Sequence, residues 1–249
     1  MKKYALVTGG TGGIGLAVAT TLGKAGYDII LNGIDEVQGR DALTTLGEQG
    51  IEAELYLFDV TNEEEINENM AKIAAKYDHL DVLVNNAGGL GGRSRFEDMT
   101  TEFYRKVMAL NLDSAFFVTR KAIPMLKKSS YPSIVNYTSI AGWNSGGPGA
   151  GVYGTSKAAV TTLTRALAKD LAEYGIRVNA VSPGTIDTPF HQATKDANPE
   201  LFQSWKNNIL MKRFGEASEV ASVVEFLTSE KASFLTGEII QINGGQAFI

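Results

Sequence analysis

The 249-residue sequence predicts an α/β protein, a doubly wound parallel sheet with helices on both faces. Three observations carry that expectation. Short apolar runs alternate with helical patterns from end to end, most runs are apolar on both faces, and each ends in Gly, Asn, Asp or Ser. Strands apolar on both faces belong to parallel sheets covered by helices, and turn-forming residues mark where the chain leaves the sheet. Such alternation places ligands at the carboxyl ends of the strands.

In order, strands are expected at YALVTG (4–9), DIILNG (28–33), AELYLFD (53–59), DVLVNNAG (81–88), SIVNYTS (133–139), RVNAVSPG (177–184) and GEIIQING (237–244). Helices are expected over 14–25, 37–49, 62–77, 101–128, 154–174 and 216–229. Thr61 followed by Glu64 offers a capping box for the third of these. No repeat, low-complexity tract or linker interrupts the pattern, so residues 1–249 read as one domain. The one long irregular stretch, 185–213, carries Pro189, Pro199, Phe190, Phe202 and Trp205. A loop of that length in a compact domain is typically a lid, and a substrate flap is expected there.

Composition narrows the class. Hydrophobic residues make up 44% and charged residues 20%, enough for a packed core and too apolar for extensive disorder. No apolar run approaches the ~18 residues that span a bilayer. The start, MKKYALVTGG, turns directly into a strand and a glycine loop rather than a signal sequence. The absence of cysteine excludes disulfides and thiolate metal sites and fits a cytoplasmic location. With only His79 and His191, no histidine-built metal centre is expected. A net charge of −5 argues against nucleic acid as a partner.

The first strand runs into TGGTGGIG (8–15), with glycines at 9, 13 and 15 rather than the commoner G-x-G-x-x-G. Glycines let backbone N–H groups approach a pyrophosphate at a helix N-terminus. On its own such a turn is equally well purely structural. Further along, Tyr153 and Lys157 stand at i and i+4, one helical turn apart on one face. A tyrosine titrates near pH ~10, and a neighbouring cation favours its phenolate, making it a usable acid–base group. Y-x-x-x-K alone reads equally as an amphipathic helix with a packed tyrosine.

Taken as a set, these blocks resemble the classical short-chain dehydrogenase/reductase family. Thr8-Gly9-x-x-x-Gly13-Ile14-Gly15 matches its nucleotide motif and Asn85-Asn86-Ala87-Gly88 its NNAG strand end. Asn111, Ser139, Tyr153 and Lys157 match the catalytic tetrad, and Pro183-Gly184 with Thr188 the block beside the nicotinamide. The resemblance covers essentially the whole chain. It implies a Rossmann-type fold and a dinucleotide site. That site takes Gly9, Thr11, Gly12, Gly13, Ile14 and Gly15; Gly33, Ile34 and Asp35; Asp59 and Val60; and Asn86, Ala87 and Gly88. Tyr153, Lys157, Pro183, Gly184, Thr185, Ile186 and Thr188 complete it. Asp59 reads alternatively as a strand-end cap. In the implied reaction Ser139 stabilises the developing oxyanion, Tyr153 is the general acid, and Lys157 tunes Tyr153 and bonds the nicotinamide ribose. Asn111 would hold a relay water, or serve as a polar residue that kinks its helix.

Gly33 stands where NAD-dependent relatives usually carry Asp, and Ile34 where NADP-dependent relatives often carry Arg. Asp35 and Glu36 follow, and Gly12 supplies no cation. A 2′-phosphate would meet acid, so NAD(H) is expected over NADP(H).

NNAGGLGGR (85–93), TSIAGWNSGGPGAGVYG (138–154), SPGTIDTPFH (182–191), MKRFG (211–215) and NGGQAFI (243–249) are similar to reductases of alginate breakdown. Those enzymes convert 4-deoxy-L-erythro-5-hexoseulose uronate to 2-keto-3-deoxy-D-gluconate. A uronate needs a cation and polar donors. Arg93, Ser139, Gly146, Gly147, Gly149, Tyr153 and His191 are the expected substrate residues, the glycines offering room and backbone N–H groups. Arg95 and Lys195 are further cations, and Trp143 and Trp205 would wall the pocket or pack. A 3-oxoacyl-acyl-carrier-protein reductase and a generic sugar or polyol dehydrogenase are the alternatives, the first with Lys127-Lys128 as a docking patch. A non-catalytic dinucleotide-sensing module would have lost the Tyr, Lys or Ser, and all are present. The family further implies a homotetramer, with helices 101–128 and 154–174 pairing between subunits.

Overall fold

The computed structural model describes residues 2–248. Seven parallel strands, β1 (Lys3–Val7), β2 (Tyr27–Gly33), β3 (Ala53–Leu57), β4 (Val82–Asn85), β5 (Ser133–Tyr137), β6 (Arg177–Pro183) and β7 (Ile239–Ile242), form one sheet. Their order is β3-β2-β1-β4-β5-β6-β7. The direction of winding reverses between β1 and β4, which pair in the register Val7↔Val84, so the binding crevice lies beyond the carboxyl ends of these two strands.

Among the described residues there are ten helices, α1 (Gly13–Lys24), α2 (Glu36–Gly47), α3 (Glu63–Lys76), α4 (Thr101–Met108), α5 (Ser114–Leu126), α6 (Ala141–Asn144), α7 (Gly151–Leu171), α8 (Gln192–Ala197), α9 (Pro199–Ser204) and α10 (Ala217–Thr228), and the longer ones flank the sheet on both faces. One core joins Val18 and Leu22 of α1, Ala42 and Leu46 of α2, and Val220 and Val224 of α10 to the sheet. The opposite face receives Ile66, Met70 and Ile73 of α3, Val118 and Ala122 of α5, and Ala168 and Leu171 of α7. Apolar strands on both faces follow directly. No helix among the described residues is long and apolar enough to cross a membrane.

Four local expectations change. The cap of α3 is Asn62, not Thr61: its Oδ1 accepts from Glu64 N at 3.0 Å and Glu65 N at 3.4 Å. Asp59 Oδ1 holds Thr61 N at 2.8 Å in a turn, which moves the helix start one residue on. The expected helix 101–128 is two helices joined by a π-turn at Ala109–Asp113, which centres on Asn111. The expected irregular flap is mostly helical. It contains α8, α9 and 3₁₀ turns at Pro189–His191 and Trp205–Asn208, packed around Phe202, Ile209 and Phe214. Finally, α6 occupies part of what reads as a loop after β5.

Candidate active site

A cleft of about 830 Å³ opens at the carboxyl ends of the strands. Its floor is the first glycine loop. Thr8 N donates to Val84 O (3.0 Å), Ala87 N to Thr8 Oγ1 (3.1 Å), and Asn86 Nδ2 to Gly9 O (2.9 Å). Gly9 N donates to Asn32 Oδ1 at 3.2 Å, and Asn32 Nδ2 to Phe58 O at 2.9 Å. The ends of β1, β2, β3 and β4 are thereby tied into one rigid edge. Gly9 and Gly13 take φ of +58° and +52°, the left-handed region that suits glycine. A Cβ on Gly15 would sit 2.2 Å from Gly9 O, so only glycine lets α1 start this close to β1. No side chain caps α1, and its N-terminal N–H groups are left to serve an anion, as a pyrophosphate requires. This glycine cradle fits a dinucleotide. Gly9, Thr11, Gly12, Gly13, Ile14, Gly15, Asn86, Ala87 and Gly88 all line the cleft.

Beyond β2, Gly33 and Ile34 line the cleft, as do Asp59 and Val60, but Asp35 does not. Its carboxylate caps α2, accepting from Gln38 N at 2.8 Å. Glu36 pairs with Arg40 at 2.5 Å on the exposed face. The expected acidic wall against a 2′-phosphate is therefore spent on helix capping and a surface ion pair. Gln38 and Asn32 line the cleft in its place.

The four tetrad residues converge. Lys157 of α7 is buried and donates from Nζ to Tyr137 O at 2.9 Å. A Cβ on Gly88 would lie 2.9 Å from Asn111 Oδ1 and 3.0 Å from Lys157 Nζ, so both side chains close on the bare backbone of the NNAG segment. Asn111 Nδ2 donates to Gly89 O (2.8 Å) and Val107 O (2.9 Å), while Oδ1 accepts from Gly89 N (3.0 Å). Burial brings the Lys157 ammonium down to about 8. Burial also raises the Tyr153 phenol above its ordinary value, and a hydrogen bond with Ser139 works against that rise. The ammonium lies 5.9 Å from the Tyr153 ring centre, and Ser139 is the hydrogen-bonding group that offsets the rise.

The substrate end is assembled from three separated segments. Arg93 Nη1 donates to Pro148 O at 3.0 Å, and Ser94 N to Gly149 O at 3.0 Å, which seats residues 93–94 on the GGPGAG run. Gly146 and Gly147 line the cleft; Gly149 does not. Gly146 N donates to Asn144 Oδ1 at 2.9 Å. Gly146 and Gly147 thus keep the cleft wall free of side chains, while the other glycines of the run serve packing. A Cβ on Gly149 would lie 3.1 Å from Arg93 Cβ, and one on Gly151 would lie 2.5 Å from the Phe96 ring, so close packing against 93–96 requires them.

On the flap, His191 lines the cleft within an aromatic nest of Phe190, Phe202 and Trp205, with ring centres 4.9, 5.7 and 5.6 Å away. Burial first, then Lys195 and Arg93, push it down to about 4, against Asp187. His191 is consequently neutral and corrects the expectation of a cation there. Lys195 pairs with Asp187. Pro183, Gly184, Thr185 and Ile186 line the cleft, whereas Thr188 is buried beside it, 3.8 Å from the Cβ position of Gly13. Trp205 is a wall residue and Trp143 is not. Asn144 and Gln246 also line the cleft, the latter accepting from Thr185 N at 2.9 Å. No sequence motif marks these two, though their neighbourhoods (138–154 and 243–249) do. Among the described residues no group of three or more His, Cys, Asp or Glu gathers as a metal site.

Comparison with known proteins places the fold in a family. The family model for Enoyl-(Acyl carrier protein) reductase matches residues 9–247. The chain is 37% identical over 244 residues to the 3-oxoacyl-(acyl-carrier-protein) reductase FabG of Aquifex aeolicus, covering 98% of this chain and 96% of the relative. It is 39% identical over 243 residues to a cyclopentanol dehydrogenase of Comamonas testosteroni, with 98% and 96% covered. Among solved structures, an NADH-dependent reductase A1-R′ responsible for alginate metabolism superposes with a TM-score of 0.90 at 35% identity, covering 100% of this chain and 98% of that one. With its seven-stranded parallel sheet and NNAG-backed glycine cradle, the chain belongs to the short-chain dehydrogenase/reductase family, the NAD(P)-dependent oxidoreductases that act on CH–OH and C=O groups.

Proposed function

We propose that the protein reduces the carbonyl of a keto-uronate or related sugar acid with NADH, 4-deoxy-L-erythro-5-hexoseulose uronate being the foremost candidate. The observation that carries this reading is Arg93. It lines the substrate end of the cleft, it is anchored by a backbone carbonyl, and it forms no ion pair among the described residues. A guanidinium so placed suits a substrate carboxylate. The likeness to the alginate-metabolism reductase supports the same substrate class.

Gly9, Gly13 and Gly15 would hold the pyrophosphate, and Pro183 through Ile186 would flank the nicotinamide, which when bound supplies the hydride. Ser139 donates a hydrogen bond to the substrate oxygen as negative charge develops there. Tyr153 delivers its phenolic proton to that oxygen. Burial keeps Tyr153 protonated and able to donate, while Lys157, cationic below about 8, offsets the charge left on the phenolate. Asn111, with both ends of its amide on backbone groups, positions the π-turn and the Gly88–Gly89 segment.

A second reading, reduction of a 3-oxoacyl thioester, is favoured by the 37% identity to the Aquifex enzyme. Lys127, its candidate docking residue, lies over the Tyr174 ring at 3.3 Å. Rates with NADH and NADPH against the keto-uronate, a 3-oxoacyl thioester and neutral sugars separate the readings. Turnover of the keto-uronate no faster than neutral sugars would sink the first. A homotetramer is proposed from the family, and light scattering tests it.

A further inference from the structure

The wall between β2 and α2 holds an arrangement the family pattern does not supply. Gly33 ends β2, and a Cβ there would lie 2.5 Å from Thr11 Cγ2 and 3.1 Å from Thr11 Oγ1. Thr11 is buried and branched at Cβ, so it has little freedom to yield, and an acidic side chain at 33 is sterically excluded. The neighbouring charges are committed elsewhere: Asp35 to the cap of α2, Glu36 and Arg40 to each other. Ile34 is 76% exposed and carries no polar atom on its side chain. What faces the cleft is Gln38, on the first turn of α2, with Thr11 Oγ1 donating to its Oε1 at 3.2 Å. A Cβ on Gly12 would lie 3.9 Å from that same Oε1, which places the amide directly over the glycine cradle.

We infer that Gln38, oriented by Thr11, reads the adenosine ribose of the cofactor, a neutral amide standing where a carboxylate or a guanidinium would otherwise do so. With Oε1 held by Thr11, its NH₂ group donates to the ribose hydroxyl oxygens. A ribose diol is matched by a neutral hydrogen-bonding group. A 2′-phosphate dianion would be desolvated beside it with no cation to compensate. Preference for NADH then comes from a missing cation and a neutral amide rather than from acidic repulsion. The inference rests only on the family's use of a nicotinamide cofactor.

Dissociation constants for NADH and NADPH, measured by fluorescence titration without substrate, test it independently of the keto-uronate reading. Gln38→Arg is expected to move the NADH:NADPH affinity ratio about tenfold or more toward NADPH, the effect of one charge-assisted contact. Gln38→Glu is expected to weaken NADPH about tenfold or more relative to NADH, through like-charge repulsion with the 2′-phosphate. Asp35→Asn keeps the cap, since Asn and Asp cap equally well, and is expected to leave the ratio within about twofold. Gln38→Ala, on an exposed helix surface, supplies the readout should a charged variant unfold, with NADH affinity falling about threefold or more. A ratio that follows Asp35→Asn, or that ignores Gln38→Arg and Gln38→Glu, overturns the inference.

Discussion

The two halves of the cleft are built differently. In the nucleotide half the contacts join neighbouring strand ends of one sheet: Thr8 to Val84, Asn86 to Gly9, Gly9 to Asn32. In the substrate half, residues 88–96, 144–151 and the flap meet through side chains, with Arg93 on Pro148 and His191 among Phe190, Phe202 and Trp205. The first half is dictated by the fold. The second depends on three segments, distant in the sequence, that the fold merely brings within reach.

Variants that act on one half and spare the other test this division. The largest effect belongs to the boundary between them. Tyr153→Phe should lower turnover by about 10²–10⁴-fold while NADH affinity stays within about threefold, read from kcat and a binding titration. Near wild-type turnover would remove Tyr153 from the chemistry. Next, Gly15→Ala should weaken dinucleotide binding at least about tenfold, although alanine is favoured over glycine in a helix by ~1 kcal/mol. The cause is the overlap of its Cβ with Gly9 O, and equal affinity in a titration would refute the cradle.

Arg93→Ala should raise KM for a keto-uronate by roughly 10–100-fold, the loss of one charge-assisted bond, and leave NADH affinity unchanged. An unchanged KM would place the carboxylate elsewhere. The pH profile follows from Lys157. Reduction, measured as kcat/KM, should fall above about 8 as the buried ammonium loses its proton.

The smallest effect is on stability. His191 titrates at about 4 folded against 6.5 ordinarily. Between those values the unfolded chain binds a proton that the folded chain does not, so stability declines as pH falls through that window and is unaffected above it. His191→Asn should flatten this part of the dependence, which urea midpoints at pH 7 and pH 5 would reveal.

Much of this was legible without coordinates, for identifiable reasons. The strands announce themselves by unbroken apolar runs, and the glycine loop and Tyr153–Lys157 pair by short spacings within one turn or one helix. Asn111 was legible only through the family, and its π-turn was not, because a π-turn keeps a helical pattern on either side. The capping of α3 was misplaced by one residue because Asp59 competes for Thr61 N, a contact between side chain and backbone that spacing does not encode.

By itself, then, the sequence determined the sheet, the glycine loop and the one-turn spacing of Tyr153 and Lys157, since periodicity and local spacing are properties of neighbouring residues. Tertiary structure alone decided how charge and volume were allotted. Asp35 reads in the chain as a guard against phosphate and is found capping a helix. His191 reads as a cation and is found neutral in an aromatic nest. Gly149 reads as open space and is found packed against Arg93, while Gly146 and Gly147 of the same run line the cleft. Burial and partner choice depend on residues distant in the chain, and a side chain's charge and reach are settled only when those partners arrive.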